Sequence, residues 1–156
     1  MTVKANELRC ESRGRLTRAK ADGLVCELLA RVRALNADAK YAFKVDSVVL
    51  FGSYLSSRDR IEDVDVAIAL RPRLQNKEEQ KALEEAARSR GPRSRNIVEH
   101  MYKPQQEVRK ALKAKSSWLD VRDASELEEV LQQRSGVEYK VISGYWQPKL
   151  KTEDEK

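Results

Sequence analysis

The chain has 156 residues, the size of one ordinary domain, and more than a third of them are charged, so most helices must carry solvated faces. Its formal net charge of +6 suits nucleotide or nucleic-acid partners, and no apolar run approaches a membrane span, so no membrane partner is expected. A single histidine, His100, excludes a His-rich metal site or a His-based triad, and Cys10 and Cys26 lack metal-ligand spacing. Together with a basic N-terminus that has no apolar signal core, this fits a reducing cytoplasm.

Residues 1–14 read as a polar, basic arm ending at Gly14. From Leu16 to Leu35 apolar positions recur at helical spacing, with Leu24, Val25, Leu28, Leu29 and Val32 as the expected buried stripe and Cys26 as a core thiol. Residues 45–51 are β-branched and aromatic, hence a buried strand. Ser53–Ser57 predicts a short helix or turn. Ile61–Leu70 predicts a second strand, ended by Pro72. Asn76 with Glu79 marks a helix start, and Lys77–Arg90 reads as a charged helix.

Arg88–Arg95 is a basic loop turning at Gly91-Pro92 and short of apolar anchors, so it is expected to be mobile. Ile97–Tyr102 reads as a short strand, Gln105–Lys115 as a helix after Pro104, and Ser117–Arg122 as a further strand. Ser125 and Glu128 have capping-box spacing and open a helix to Arg134, which Gly136 ends. Val137–Ile142 reads as a late strand. The expected organisation is one domain over 15–146 and a charged, disordered tail over 147–156.

The chemistry concentrates in two neighbouring segments. Val48-Val49-Leu50-Phe51 runs into Gly52-Ser53, and after a short polar stretch Asp63-Val64-Asp65-Val66 opens the next apolar run. On a strand, residues i and i+2 share a face, so Asp63 and Asp65 should project together while Val64 and Val66 enter the core. Two adjacent carboxylates repel one another, and a divalent cation is the simplest compensation. Hard oxygen ligands on rigid backbone suit Mg²⁺. Gly52 would let a phosphate approach the backbone, and Ser53 would offer its hydroxyl at a strand-to-helix turn.

A hydrophobic residue, Gly-Ser, a spacer and Asp-x-Asp on a strand resembles the signature of the DNA polymerase β-type nucleotidyltransferase superfamily. Size and spacing are most similar to its minimal nucleotidyltransferase branch, which also implies a bacterial source. The resemblance implies an α/β (α+β) palm over 15–146: a small mixed, twisted sheet backed by helices, with the two motif strands adjacent. It implies transfer of a nucleoside monophosphate from a triphosphate, ATP favoured, onto a hydroxyl. Two Mg²⁺ ions would act during turnover, both held by Asp63 and Asp65 and one by a third carboxylate on a later strand. Trp118-Leu119-Asp120-Val121-Arg122-Asp123 is similar to that later segment. Alternation favours Asp120 as the third carboxylate. Asp123 is the other candidate, and it competes with Ser125 to cap the following helix.

The family's usual Arg-x-Arg-Gly after Gly-Ser is replaced by Tyr54-Leu55-Ser56-Ser57-Arg58, where Arg58 is the one cation. Glu62 stands where a serine is common, and alternation turns it to the opposite face. Tyr54 is a candidate for stacking on a base or sugar, or for covering the core beside Leu55. The family's acceptors include antibiotics, RNA ends and protein side chains, and some members act as antitoxins by adding AMP to a toxin. The lack of a helical C-terminal acceptor domain leaves a protein partner as the attractive acceptor. Arg88, Arg90, Arg93 and Arg95 would grip phosphate or RNA, or form a solvated loop; the N-terminal Lys4, Arg9, Arg13, Arg15, Arg18 and Lys20 are open to the same two readings. A different class of reading is a catalytically silent module of the same fold that binds a protein or nucleic acid.

Overall fold

The computed structural model of the protein describes residues 16–56 and 60–149. The expectations for the arm 1–14, for Cys10, for Arg58 and for the end of the tail fall outside the described residues. The elements run β1 (Leu16–Thr17), α1 (Arg18–Ala37), β2 (Phe43–Phe51), a 3-10 turn (Gly52–Leu55), β3 (Arg60–Ile61) and β4 (Val64–Pro72). There follow α2 (Lys77–Arg88), α3 (Ile97–Met101), α4 (Lys103–Lys113), β5 (Leu119–Asp123), α5 (Ala124–Gln133) and β6 (Tyr139–Ser143). The described residues thus form a mixed α/β fold with five α-helices and a four-stranded mixed sheet of order β5-β4-β2-β6. β2 pairs antiparallel with β4 and β6, whereas β4 and β5 run parallel.

Both faces of the centre of β2 are covered, which explains its unbroken apolar run. Val48 and Leu50 join the larger core with Leu28 and Val32 of α1 and Val108 and Leu112 of α4. Val49 and Phe51 face the other way, against Ala67 of β4 and Leu127 of α5. The sheet is therefore sandwiched between helices, and each strand residue must suit one of two interiors.

Several expectations need correction. α1 starts at Arg18, where the Thr17 side chain accepts from the Lys20 N–H at 3.3 Å; Leu16 instead pairs with Ile61 across β1 and β3. Its fully buried positions are Ala21, Leu28, Val32 and Leu35, with Leu24 and Val25 at the margin of the core. Cys26 falls outside that face and is exposed, so it is not a core thiol. Ile97–Tyr102 is not a strand: the Asn96 side chain accepts from the Glu99 N–H at 2.8 Å and starts α3. An N-cap of this kind satisfies an otherwise orphaned amide and outweighs the β-preference of Ile97 and Val98.

Candidate active site

The second motif strand is split. Ile61 belongs to the small β1–β3 ribbon, while Val64 begins β4 by donating its N–H to the Trp118 carbonyl at 2.8 Å. Glu62 and Asp63 lie in the turn between, so Asp63 is not on the strand and is exposed. From Val64 onward alternation holds: Val64, Val66 and Ile68 enter the larger core and Asp65 turns to the other face.

Strand register then assembles the site. Phe51 lies opposite Asp65 across β2 and β4, so the chain leaves β2 at Gly52 beside that carboxylate. Gly52 has φ +79°, and a Cβ there would overlap the Asp65 carboxylate. A side chain is therefore excluded twice, by backbone conformation and by proximity. Asp65 also lies opposite Asp120 across the parallel β4–β5 pair, close enough for the Asp120 charge to raise its pKa. Ser53 donates its hydroxyl to the Asp63 carbonyl at 3.4 Å, which ties the Gly-Ser turn to the aspartate turn.

Half-burial pushes the Asp65 carboxyl up to about 6, helped by the charges of Asp120 and Asp63 and opposed by Arg122. Asp63 is also raised, first by burial, then by Asp120 and by Glu62, with Lys113 opposing. Glu62 is thus not electrically remote, as strand alternation had implied. Three carboxylates share one field, yet among the described residues no three His, Cys, Asp or Glu side chains lie close enough to hold an ion between them. Asp65 and Asp120 face each other across the strand pair, and Asp63 acts on them through space.

Arg122 completes the cluster and was not singled out from the sequence, although its i+2 spacing from Asp120 places both on one strand face. Its Nε donates to Asp120 Oδ2 at 3.0 Å. Beside this pair opens a cavity of about 950 Å³, lined on its polar side by Gly52, Ser56, Asp65, Arg122, Arg134 and Glu138. Asp123 faces a different task. Its Oδ2 accepts from the Ser125 N–H at 3.0 Å and caps α5, settling the competition with Ser125 for that cap.

Tyr54 is bound into the fold. Its hydroxyl donates to Asp22 of α1, and the Arg18 guanidinium lies 5.5 Å from the ring centroid. Arg18 also donates to the carbonyls of Tyr54 at 3.1 Å and Ser56 at 2.6 Å. Burial, then the Asp22 hydrogen bond, pushes the Tyr54 hydroxyl up to about 12. Arg18 and Asp22 thus fasten the Gly-Ser turn to α1.

The basic loop has largely spent its charge inside the fold. Arg88 pairs with Glu85 at 2.6 Å and Glu84 at 3.8 Å. Arg90 holds Glu107 at 2.9 Å and the Lys40 carbonyl at 2.9 Å. Arg95 lies 3.7 Å from Glu99 and is exposed, and Arg93 is exposed without a partner among the described residues. Among the described residues no helix is long and apolar enough to cross a membrane. Comparison of the chain with models of known protein families, with curated proteins and with solved structures finds no match.

Proposed function

We propose that this chain is a Mg²⁺-dependent nucleotidyltransferase built on a polymerase β-like palm. It would move a nucleoside monophosphate from a triphosphate, ATP favoured, to a hydroxyl of an acceptor, a partner protein being the preferred class. The observation that carries the reading is the convergence of Gly52, Asp65 and Asp120 by strand register.

The donor set suits a hard cation. Two carboxyls facing each other across neighbouring strands offer oxygen ligands, and Asp63 adds negative field beside them. Bound there, Mg²⁺ would neutralise the carboxylates and stabilise charge on the phosphates. Gly52 keeps the approach to Asp65 free of side-chain atoms, and Arg122 and Arg134 supply cations along the cavity wall. In the transfer an acceptor oxygen bonds to the α-phosphorus, the bond from that phosphorus to the bridging oxygen breaks, and pyrophosphate leaves. The acceptor's proton passes to a carboxylate oxygen of Asp120. Such an enzyme would work in the cytoplasm, where nucleoside triphosphates are supplied.

One observation favours a second reading, a catalytically silent module of the same fold. Arg122 already neutralises Asp120, and among the described residues no third acid joins the Asp65–Asp120 pair. Incubation with Mg²⁺ and each α-labelled nucleoside triphosphate, together with total RNA or cell lysate, separates the two. Label transferred by the wild type and not by Asp63→Asn/Asp65→Asn supports the enzyme. No transfer, with no heat of Mg²⁺-nucleotide binding, leaves the silent module.

A further inference from the structure

The segment that failed as a strand leaves an unusual surface. Among the described residues, four of the six exposed large hydrophobic side chains fall within Ile97–Tyr102: Ile97 at 70%, Val98 at 59%, and Met101 and Tyr102 at 54% each. Ile97 and Met101, like Val98 and Tyr102, are four apart and therefore neighbours on the helix surface. Scattered exposed apolar residues are ordinary, but a contiguous group on one short helix is not.

Two depressions of about 340 Å³ each share Pro92, Lys103, Gln106 and Lys110 as walls, and the first also takes Val98 and Glu99 of this helix. The first is floored on its apolar side by Val98 and Tyr102, and its one acid, Glu99, lies 3.7 Å from Arg95. The second adds Lys40 and Arg90, with Glu107 as its one acid. Glu107 is spent on Arg90, and Lys103 Nζ donates to the carbonyls of Arg88 and Pro92 at 2.8 and 2.9 Å. Arg93 and Lys110 remain as cations without a side-chain partner among the described residues. None of the lining residues is shared with the cavity beside Asp65.

We propose that α3 and the adjoining Lys103–Lys110 wall form a docking surface for an acidic, amphipathic segment of a partner protein. Its apolar side chains would cover Val98, Met101 and Tyr102, and its carboxylates would meet Arg93, Lys110 and Lys40. The charge complementarity selects an acidic occupant, and the apolar helix selects protein over nucleic acid, whose backbone has nothing to gain from Ile97, Val98 and Met101. The surface is independent of the carboxylate chemistry, so it stands or falls separately from the proposed transferase activity.

The test is selection of a random helical peptide display library on the full chain, counter-selected against the Val98→Ser/Met101→Ser variant. Melting temperatures of all variants are measured beside the wild type, so that only folded protein is compared. The expected binders are acidic, with apolar residues at helical spacing. They should lose at least about tenfold in affinity to Val98→Ser/Met101→Ser and to Arg93→Glu/Lys110→Glu, and weaken as salt rises. Binders that are not acidic, or no enrichment over the counter-selecting variant, would overturn the proposal. So would tighter binding of a single-stranded RNA 12-mer that depends on Arg93 and Lys110 but not on Val98 and Met101.

Discussion

Asp65 and the arginines of residues 88–95 look alike in sequence, as charged groups crowded by their own kind, but the fold treats them oppositely. Arg88, Arg90 and Arg95 each meet an acid from a neighbouring turn or helix. Asp65 meets Asp120, another acid, with Arg122 as partial relief. Charge neutralised within the chain is architecture. Charge that folding concentrates and compensates only in part raises the energy of the folded state, and a bound cation would relieve it.

The contrast is sharpest in Asp65→Asn, which should move activity and stability in opposite directions. Labelled nucleotide transfer should fall by at least about a hundredfold, the scale of losing a group that stabilises transition-state charge. Stability should rise. In the folded chain Asp65 takes up a proton below about 6, against 3.8 for an ordinary aspartate, so folding is favoured most below 3.8. That contribution is lost as pH rises through about 6. The variant escapes the loss, and after allowance for solvent screening should be about 1 kcal/mol more stable at pH 7.5. The gap should close toward pH 4 in urea melts. A variant less stable than wild type at pH 7.5 would break the comparison.

Gly52→Ala tests how closely the turn and the carboxylate are fitted. With φ +79° and Asp65 in the way, it should cost about 1–3 kcal/mol in denaturant unfolding. Asp123→Ala should cost about 1 kcal/mol through loss of the α5 cap while leaving Mg²⁺-nucleotide binding intact; lost binding would make Asp123 part of the site. Smaller still, Arg90→Gln should cost under about 1 kcal/mol. Arg93→Gln should change the melting temperature negligibly, since its side chain is exposed and unpaired among the described residues.

Much of the sheet could be read from the chain because its physics is local and periodic. The apolar run into Gly52 and the alternation around Asp65 and Asp120 each fixed a face before any partner was known. The position of Asp63 was not legible, because β4 starts where Val64 finds Trp118, a residue distant in sequence. Arg122 shares its strand face with Asp120 by the i+2 rule, so this pairing was legible in the sequence. The brace of Arg18 and Asp22 on Tyr54 depends on how α1 lies against the Gly-Ser turn, which no local pattern encodes. Ile97–Tyr102 misled because β-branched residues imply burial, whereas Asn96 starts a helix there and leaves its apolar side chains in solvent.

The parallel pairing of β4 with β5 also has a kinetic side. Asp65 and Asp120 become neighbours only when the connection carrying α2, α3 and α4 has closed on itself. Closing so long a loop costs entropy before any contact repays it. The last approach also brings acid toward acid. β5 should therefore be among the later strands to dock during refolding, and the carboxylate pair would exist in none of the shorter-range intermediates. A chain stalled before that step could keep much of its helix and its β2–β4 hairpin yet have no site at all.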